Sequence, residues 1–479
     1  MRGPGVIEVV SLQGRSVAVL GLGRAGLATA KALKRGNADV WAWDDDAEAR
    51  RVAAGEGVPL VDLHACEWSD VAALVQSPGI PHTHPSPHPV AALARQAGCE
   101  IIGDVELLAR SQRDARYIGI TGTNGKSTTT ALIDHVLGAA GQRIEVGGNI
   151  GTPALAMEPL GSDGTYVLEM SSYQLELSPS VTFDVAVLLN ISPDHLERHR
   201  GMSGYVAAKK MIFQGQTAAH TAIVCIDDAH CRSIFEDLDA ASGQAVIPVS
   251  GHARAAGGVF VFDGVLHDDT EGRAAPVMDL RGLTTLPGAH NWQNSAAAYA
   301  AAKAAGAAPR LIAEGIGTYS GLAHRQELVS IVDAIAYVND SKATNADASA
   351  KALACYDNVY WIVGGQAKHG GLQGLEPLIG RIRHAFLIGE AAPAFADSLR
   401  GKVDISLCGD LATAVWRARD TAVREGFEDA VVLLSPACAS FDQFANFEAR
   451  GDAFRALVEA MPAGRAGEAD GGQPGGRPS

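Results

Sequence analysis

The sequence predicts an α/β protein of three domains, and three observations carry that reading. Short apolar runs end in glycine-rich or small-residue turns, segments of helical period follow those turns, and 479 residues are too many for one core. The expected division is a Rossmann-like domain over residues 1–108, a central P-loop ATPase-type domain built on a parallel sheet over 109–321, and a second Rossmann-like α/β domain over 322–462. Residues 463–479 are expected to be a disordered tail, because PAGRAGEADGGQPGGRPS offers little apolar surface to bury.

The first domain opens with an apolar run at 17–20, the turn GLGRAG at 21–26, an alanine-rich helical pattern, a second apolar run at 40–43 and then Asp44. That is the dinucleotide fingerprint: a helix start at Gly23, Arg24 and Ala25 facing a diphosphate, and a carboxylate facing a ribose. NAD and a UDP-sugar fit it equally. A further strand at 74–76 enters the tight loop Ser77-Pro78-Gly79, the kind of strand end at which open parallel sheets take ligands. His82, His84 and His88 are interleaved with prolines and read as a solvated turn rather than a metal site.

The central domain is organised around YIGITGTNGKSTTTAL at 117–132. A strand, then Gly122, Thr123, Asn124, Gly125, Lys126, Ser127 and Thr128, then a helix make the grammar of a phosphate loop. Lys126 would neutralise β- and γ-phosphates and Ser127 would reach magnesium. The stricter GxxxxGK[ST] pattern fails at Ile120, so the match is to a shorter variant. Downstream, the GGNIG loop at 147–151 suits close backbone approach by a ligand, and a strand ending at Glu169 puts a carboxylate where magnesium is held. Another strand leads to Asn190-Ile191-Ser192-Pro193-Asp194-His195, where His195 is a candidate for a second metal or a phosphate. His195 and His199 stand in HxExH order, which is not the zinc-protease order. By residue type alone Lys209 and Lys210 are two solvated lysines, and the amides of HNWQN, Asn294 among them, sit where they cap a helix or touch a base.

The totals limit what such a protein does. Lysines and arginines number 39 against 54 acids, a formal charge of -15, which argues against a nucleic-acid partner. Seven scattered cysteines suggest neither a disulfide framework nor a zinc knuckle, and no apolar run is long enough to enter a membrane. A soluble, cytoplasmic monomer acting on small molecules is expected.

GTNGKST, the strand ending at Glu169 followed by MSS, NISPDHLERH, YVAAK and HNWQN, in this order, resemble the ATP-dependent Mur ligases of peptidoglycan synthesis. The resemblance covers about residues 15–460. It implies amide formation driven by ATP with two magnesium ions, held by Ser127, Glu169, His195 and a carbamylated Lys209. It also implies a UDP-N-acetylmuramoyl-L-alanine substrate at Gly23, Arg24, Ala25, Asp44, Ser77, Gly79 and Asn149, with Arg325 and Asp340 joining Asn294 and the loop at ATP. NDSKATN at 339–345 and SPACASFDQF at 435–444 are similar to the D-glutamate-adding branch, which implies D-glutamate at Lys342, Thr344, Lys368, Ser440, Phe441 and Phe447. Gln366 departs from the pattern, since many such enzymes have an acid there, and L-glutamate remains the rival acceptor. Ligand-induced closure of the third domain is a further implication. The rival of another class is a non-catalytic NAD sensor built on GLGRAG.

Overall fold

The computed structural model describes residues 7–283, 285–367 and 371–461. The expected tail and Lys368 lie outside the described residues. The chain forms two compact units, residues 1–319 and 320–479.

The first unit holds two sheets. The smaller has strand order Asp39–Trp43, Ser16–Leu20, Val71–Gln76, Glu100–Ile102, all parallel. Its strand Ser16–Leu20 is buried on both faces, as central parallel strands are. Val17 and Val19 enter one hydrophobic cluster and Ala18 and Leu20 another, the period of two expected of a strand with helices on either side. Helix Arg24–Arg35 follows at once, with Gly23 at its N-cap. Glycine is required at 26 because a Cβ there would lie 1.8 Å from the Gly21 carbonyl oxygen. We therefore expect Gly26→Ala to force the GLGRAG turn open, lowering stability by about 1–3 kcal/mol in a thermal melt and weakening any ligand held at that turn.

The larger sheet has nine strands. Seven lie in the order Val259–Phe262, Ala245–Ser250, Thr221–Cys225, Val185–Leu188, Arg116–Thr121, Gly164–Glu169, Arg143–Gly148, and every neighbouring pair among them is parallel. Val265–Asp268 and Ala275–Asp279 extend one edge as an antiparallel meander, a detail not foreseen in the expected parallel sheet. The phosphate-loop strand Arg116–Thr121 is thus interior, flanked by the strands that lead to Glu169 and Asn190. Helix Lys126–Ala139 leaves the loop and packs on Ala289–Ala304. Residues 296–302 of the latter are buried, six of them alanine, and these small side chains let the two helices lie close over Ile118 and Ile120.

The second unit has a six-stranded sheet in the order Glu327–Val332, Ile335–Asn339, Val431–Leu434, Val359–Gly364, Ile382–Ile388, Asp404–Gly409. Only the first pair is antiparallel. Trp361 and Val363 face one cluster, Tyr360 and Ile362 the other. In both units the residues singled out in the sequence stand mostly at or just beyond the carboxyl ends of parallel strands.

Candidate active site

The phosphate loop is fixed from beneath by the neighbouring strand end. Thr123 N donates to Asn190 O at 2.9 Å, Asn124 N to Asn190 Oδ1 at 2.8 Å, and Asn190 Nδ2 returns a bond to Asn124 O at 3.1 Å. Gly125 has φ +84 and precedes helix Lys126–Ala139, so this left-handed residue turns the chain into the helix. A Cβ on Gly125 would meet Asn294 Oδ1 at 2.3 Å, which puts that amide directly against the loop. Lys126 Nζ donates to Gly122 O at 2.9 Å and Thr123 O at 3.0 Å, folded back over its own loop.

Lys209 is the main departure from residue-type reasoning. It is 1% exposed rather than solvated, and its Nζ donates to the same Gly122 carbonyl at 2.8 Å. Burial, and next the Lys126 ammonium nearby, hold it well below the usual lysine range. Its neighbour Lys210 does lie at the surface, paired with Asp237.

Glu169 ends its strand only 2% exposed. Its Oε1 accepts from Asn149 Nδ2 at 2.7 Å, while its Oε2 is buried with no hydrogen-bond partner. An orphaned buried carboxylate oxygen is costly unless something cationic meets it, so this residue fits a divalent ion. Among the described residues no three His, Cys, Asp or Glu side chains converge as a ready cage. That suits magnesium, which is ordinarily held by one or two carboxylates together with substrate phosphates.

His195 is exposed at φ +51, with its ring centroid 5.2 Å from that of Tyr173 and its Nε2 3.5 Å from Asp194 Oδ2. His199, four residues on, is instead buried: Nε2 is 2.9 Å from Ser172 Oγ and Nδ1 3.2 Å from Glu176 Oε1. Its roles in the HxExH string are therefore structural. Tyr205 OH lies 3.1 Å from Thr123 Oγ1 and joins this group to the phosphate loop.

At the smaller sheet, Asp44 is engaged by backbone: Leu22 N donates to its Oδ2 at 2.7 Å and Asp46 N to its Oδ1 at 2.9 Å. The carboxylate thereby ties the glycine turn to the next strand end. Ser77 Oγ donates to Gly21 O at 3.3 Å, and Arg24 Nη2 to Gly151 O at 3.1 Å, so the three glycine-containing loops meet. Asp45 is a group the sequence reading missed. His88 Nε2 at 3.0 Å and His64 Nε2 at 3.2 Å flank its carboxylate and, in that order of effect, pull it down to about 2. His88 also caps helix Pro89–Gln96, which replaces the expectation of a merely solvated histidine.

In the second unit Asp340 is fully enclosed, accepting from Ser435 Oγ at 2.8 Å and Gln326 N at 3.2 Å. Burial pushes it up to about 7, against the pull of Ser435 and Arg325. Between roughly pH 4 and pH 7 the folded chain keeps a proton that the unfolded chain has released, so stability falls as pH rises through that window, by at most ~4 kcal/mol. Asp340→Asn is accordingly expected to be more heat-stable than wild type at pH 8 and little different near pH 4, with an intermediate gain between. A pH-independent difference in melting temperature would contradict this.

Lys342 lies over the Phe447 ring at 5.4 Å, Ser341 Oγ donates to Phe447 O at 2.8 Å, and Thr344 N donates to Lys342 O at 2.9 Å. Arg450, 1% exposed, donates from Nη2 to Ser341 O at 2.8 Å and Cys438 O at 3.1 Å, and so brings the 340–344 loop to the 438–441 loop. Desolvation lowers its guanidinium to about 10. Ser440 is buried and Phe441 is 69% exposed. Gln366 pairs through its backbone with Ala439 and is itself exposed.

Residues 120–302 match the Mur ligase middle domain. The chain is 53% identical to the UDP-N-acetylmuramoylalanine–D-glutamate ligase of Rhodospirillum rubrum, over 98% of this chain and 99% of that one. The ligase of the same name from Caulobacter vibrioides is 50% identical, over 96% and 98%. Among solved structures, UDP-N-acetylmuramate-alanine ligase from Thermotoga maritima has a TM-score of 0.56 at 17% identity, covering 93% of this chain and 99% of that one. A UDP-N-acetylmuramoyl-L-alanyl-D-glutamate–2,6-diaminopimelate ligase gives 0.53 at 18%, covering 95% of each chain. Such distant likeness concerns the fold, whereas identity of half or more over almost the whole length concerns the family: the chain belongs to the UDP-N-acetylmuramoylalanine–D-glutamate ligases.

Proposed function

We propose that the chain joins D-glutamate to UDP-N-acetylmuramoyl-L-alanine in the cytoplasm, with conversion of ATP to ADP and phosphate. A carboxylate and an ammonium do not condense in neutral water, since each is in its unreactive form. In the proposed route an alanyl carboxylate oxygen attacks the γ-phosphorus and ADP leaves. The neutral amine of D-glutamate then attacks the acyl carbon, and phosphate departs from the tetrahedral intermediate. Such transfers ask the protein for alignment and charge neutralisation more than for covalent help.

The observation that supports this most is the placement, at the ends of two neighbouring parallel strands, of the phosphate loop with the buried Lys209 on its Gly122 carbonyl and the half-satisfied carboxylate of Glu169. Lys126 and the loop amides would neutralise the β- and γ-oxygens. Ser127 and Glu169 would hold one magnesium ion, and His195 with carbamylated Lys209 a second. Magnesium, when bound, supplies further neutralisation of phosphate and acyl-phosphate oxygens. A carbamate on Lys209 is reasonable because burial favours the neutral amine, and only a neutral amine adds to carbon dioxide, losing a proton as it becomes an anion.

Gly23, Arg24, Ala25, Asp44, Ser77, Gly79 and Asn149 are proposed for the UDP-substrate. Lys342, Thr344, Ser440, Phe441 and Phe447, with Lys368 outside the described residues, are proposed for D-glutamate. The deciding experiment is phosphate release from ATP with UDP-N-acetylmuramoyl-L-alanine and either D-glutamate, L-glutamate or no amino acid. Turnover with D-glutamate alone is the expected result. Turnover only with L-glutamate would overturn the acceptor, and none with either would overturn the activity.

A further inference from the structure

Arg198 has no part in the chemistry described so far, yet it is only 7% exposed. Its guanidinium reaches from the His195 loop of the nine-stranded sheet's domain to the loop that follows Ser77 and Gly79. Nη1 donates to His84 O at 3.1 Å and lies 3.5 Å from Thr83 Oγ1; Nη2 donates to Ile80 O at 3.3 Å and lies 3.4 Å from His82 Nδ1. Ile80 O also accepts from Gln76 Nε2 at 2.6 Å, and Ile80 N donates to Ser77 O at 3.0 Å. The arginine therefore grips the same short turn whose first residues hold Gly21.

Its other attachments lead to His195. Arg198 N donates to His195 O at 3.0 Å. The guanidinium lies over the ring of Tyr173, 5.0 Å from its centroid, and His195 packs at 5.2 Å from the same ring. Behind Tyr173 the rings of His199 and Tyr205 follow at centroid spacings of 5.5 Å and 5.4 Å, and Tyr205 ends on Thr123 of the phosphate loop. Burying a guanidinium whose Nε has no hydrogen-bond partner is costly, and nothing in sheet or helix formation calls for it at this position. What it does provide is one rigid fork that spans several acceptors of a loop, a geometry lysine lacks.

We infer that Arg198 is a positioning residue that sets the 77–84 loop for the UDP-substrate and ties the seating of that substrate to the placement of His195. The inference rests on the UDP-substrate reading given above. Because the phosphate loop is held independently by Asn190, ATP binding should be spared.

The test compares wild type, Arg198→Gln and Arg198→Lys in calorimetric titration with UDP-N-acetylmuramoyl-L-alanine and in steady-state kinetics. Arg198→Gln is expected to weaken UDP-substrate binding and raise its KM by about 10- to 100-fold, with the ATP KM within about twofold of wild type. Lysine should restore part of the loss. Equal increases in both KM values, or an unaltered dissociation constant for the UDP-substrate, would reduce Arg198 to a structural brace and overturn the inference. Should Arg198→Gln fail to fold, Tyr173→Leu removes the face on which the guanidinium rests and must show the same split. Failure of wild type to bind the UDP-substrate would instead remove the reading beneath it.

Discussion

Glu169→Gln is expected to lower D-glutamate-dependent phosphate release by about 10²- to 10³-fold, while the unliganded protein melts no lower than wild type. The two effects go together for a physical reason. Oε1 is already committed to Asn149 Nδ2, so the only atom left for a cation is Oε2, which is buried and meets no protein donor. An amide there either turns its hydrogens to the cation or sets them against the Asn149 donor and offers the cation only a neutral oxygen, and both arrangements weaken the hold on the ion. The unliganded protein, by contrast, loses an incompletely satisfied buried carboxylate, a group that costs folding free energy. Activity assayed over a magnesium series together with a thermal melt without ligands checks both halves. A variant that keeps wild-type turnover, or one that loses activity by unfolding, would contradict the assignment. Asn149→Ala should act through the same carboxylate and raise the magnesium requirement by about 10- to 100-fold.

Lys209→Ala and Lys209→Arg are expected to be the other severe lesions, each losing about 10²- to 10³-fold in turnover, and their difference is the informative part. If Lys209 serves as a carbamate, alanine leaves a small void that a free carboxylate such as acetate can occupy, and tens of millimolar acetate should return part of the rate. Arginine, a permanent cation that does not take up carbon dioxide, should be refractory to the same addition. If the residue instead serves as an ammonium, arginine would retain activity and acetate would do nothing for alanine. Phosphate release for the two variants with and without acetate separates these outcomes.

The phosphate loop was legible in the sequence because its chemistry is local. Consecutive glycines, a lysine and a hydroxyl act through the backbone on which they lie, and a strand and a helix on either side are enough to orient them. Glu169 and His195 were singled out for the related reason that strand ends of a parallel sheet gather in one place; the structure buries the first at its strand end, and leaves the second exposed beside Tyr173, where its metal role is a proposal. Lys209 stood out only through the family resemblance, because nothing in the residue types of YVAAKK shows which of two adjacent lysines turns inward; the answer lies in Gly122 and Thr121, about 90 residues earlier. Arg198 was concealed in the same way inside a string that invites comparison with zinc motifs. Its partners at 80–84 are contributed by another sheet. Asp340 was marked by the resemblance as a residue at ATP, with no sign in the sequence of its burial. Only its burial, which outweighs the hydrogen bonds from Ser435 and Gln326 that pull the other way, makes it a group that titrates near neutrality.

One feature of the phosphate loop bears on how the enzyme lets go. Lys126 rests on the carbonyls of Gly122 and Thr123, at 2.9 Å and 3.0 Å. An ammonium with such a berth does not have to return to bare solvent when its phosphate partner goes, because two dipoles are waiting at hydrogen-bonding distance. On the proposed role of Lys126, ATP would bring a γ-group to draw the lysine away from them and ADP would not. The loop should thus grip triphosphate more firmly than diphosphate, and the spent nucleotide should leave quickly enough that turnover is not throttled at its exit.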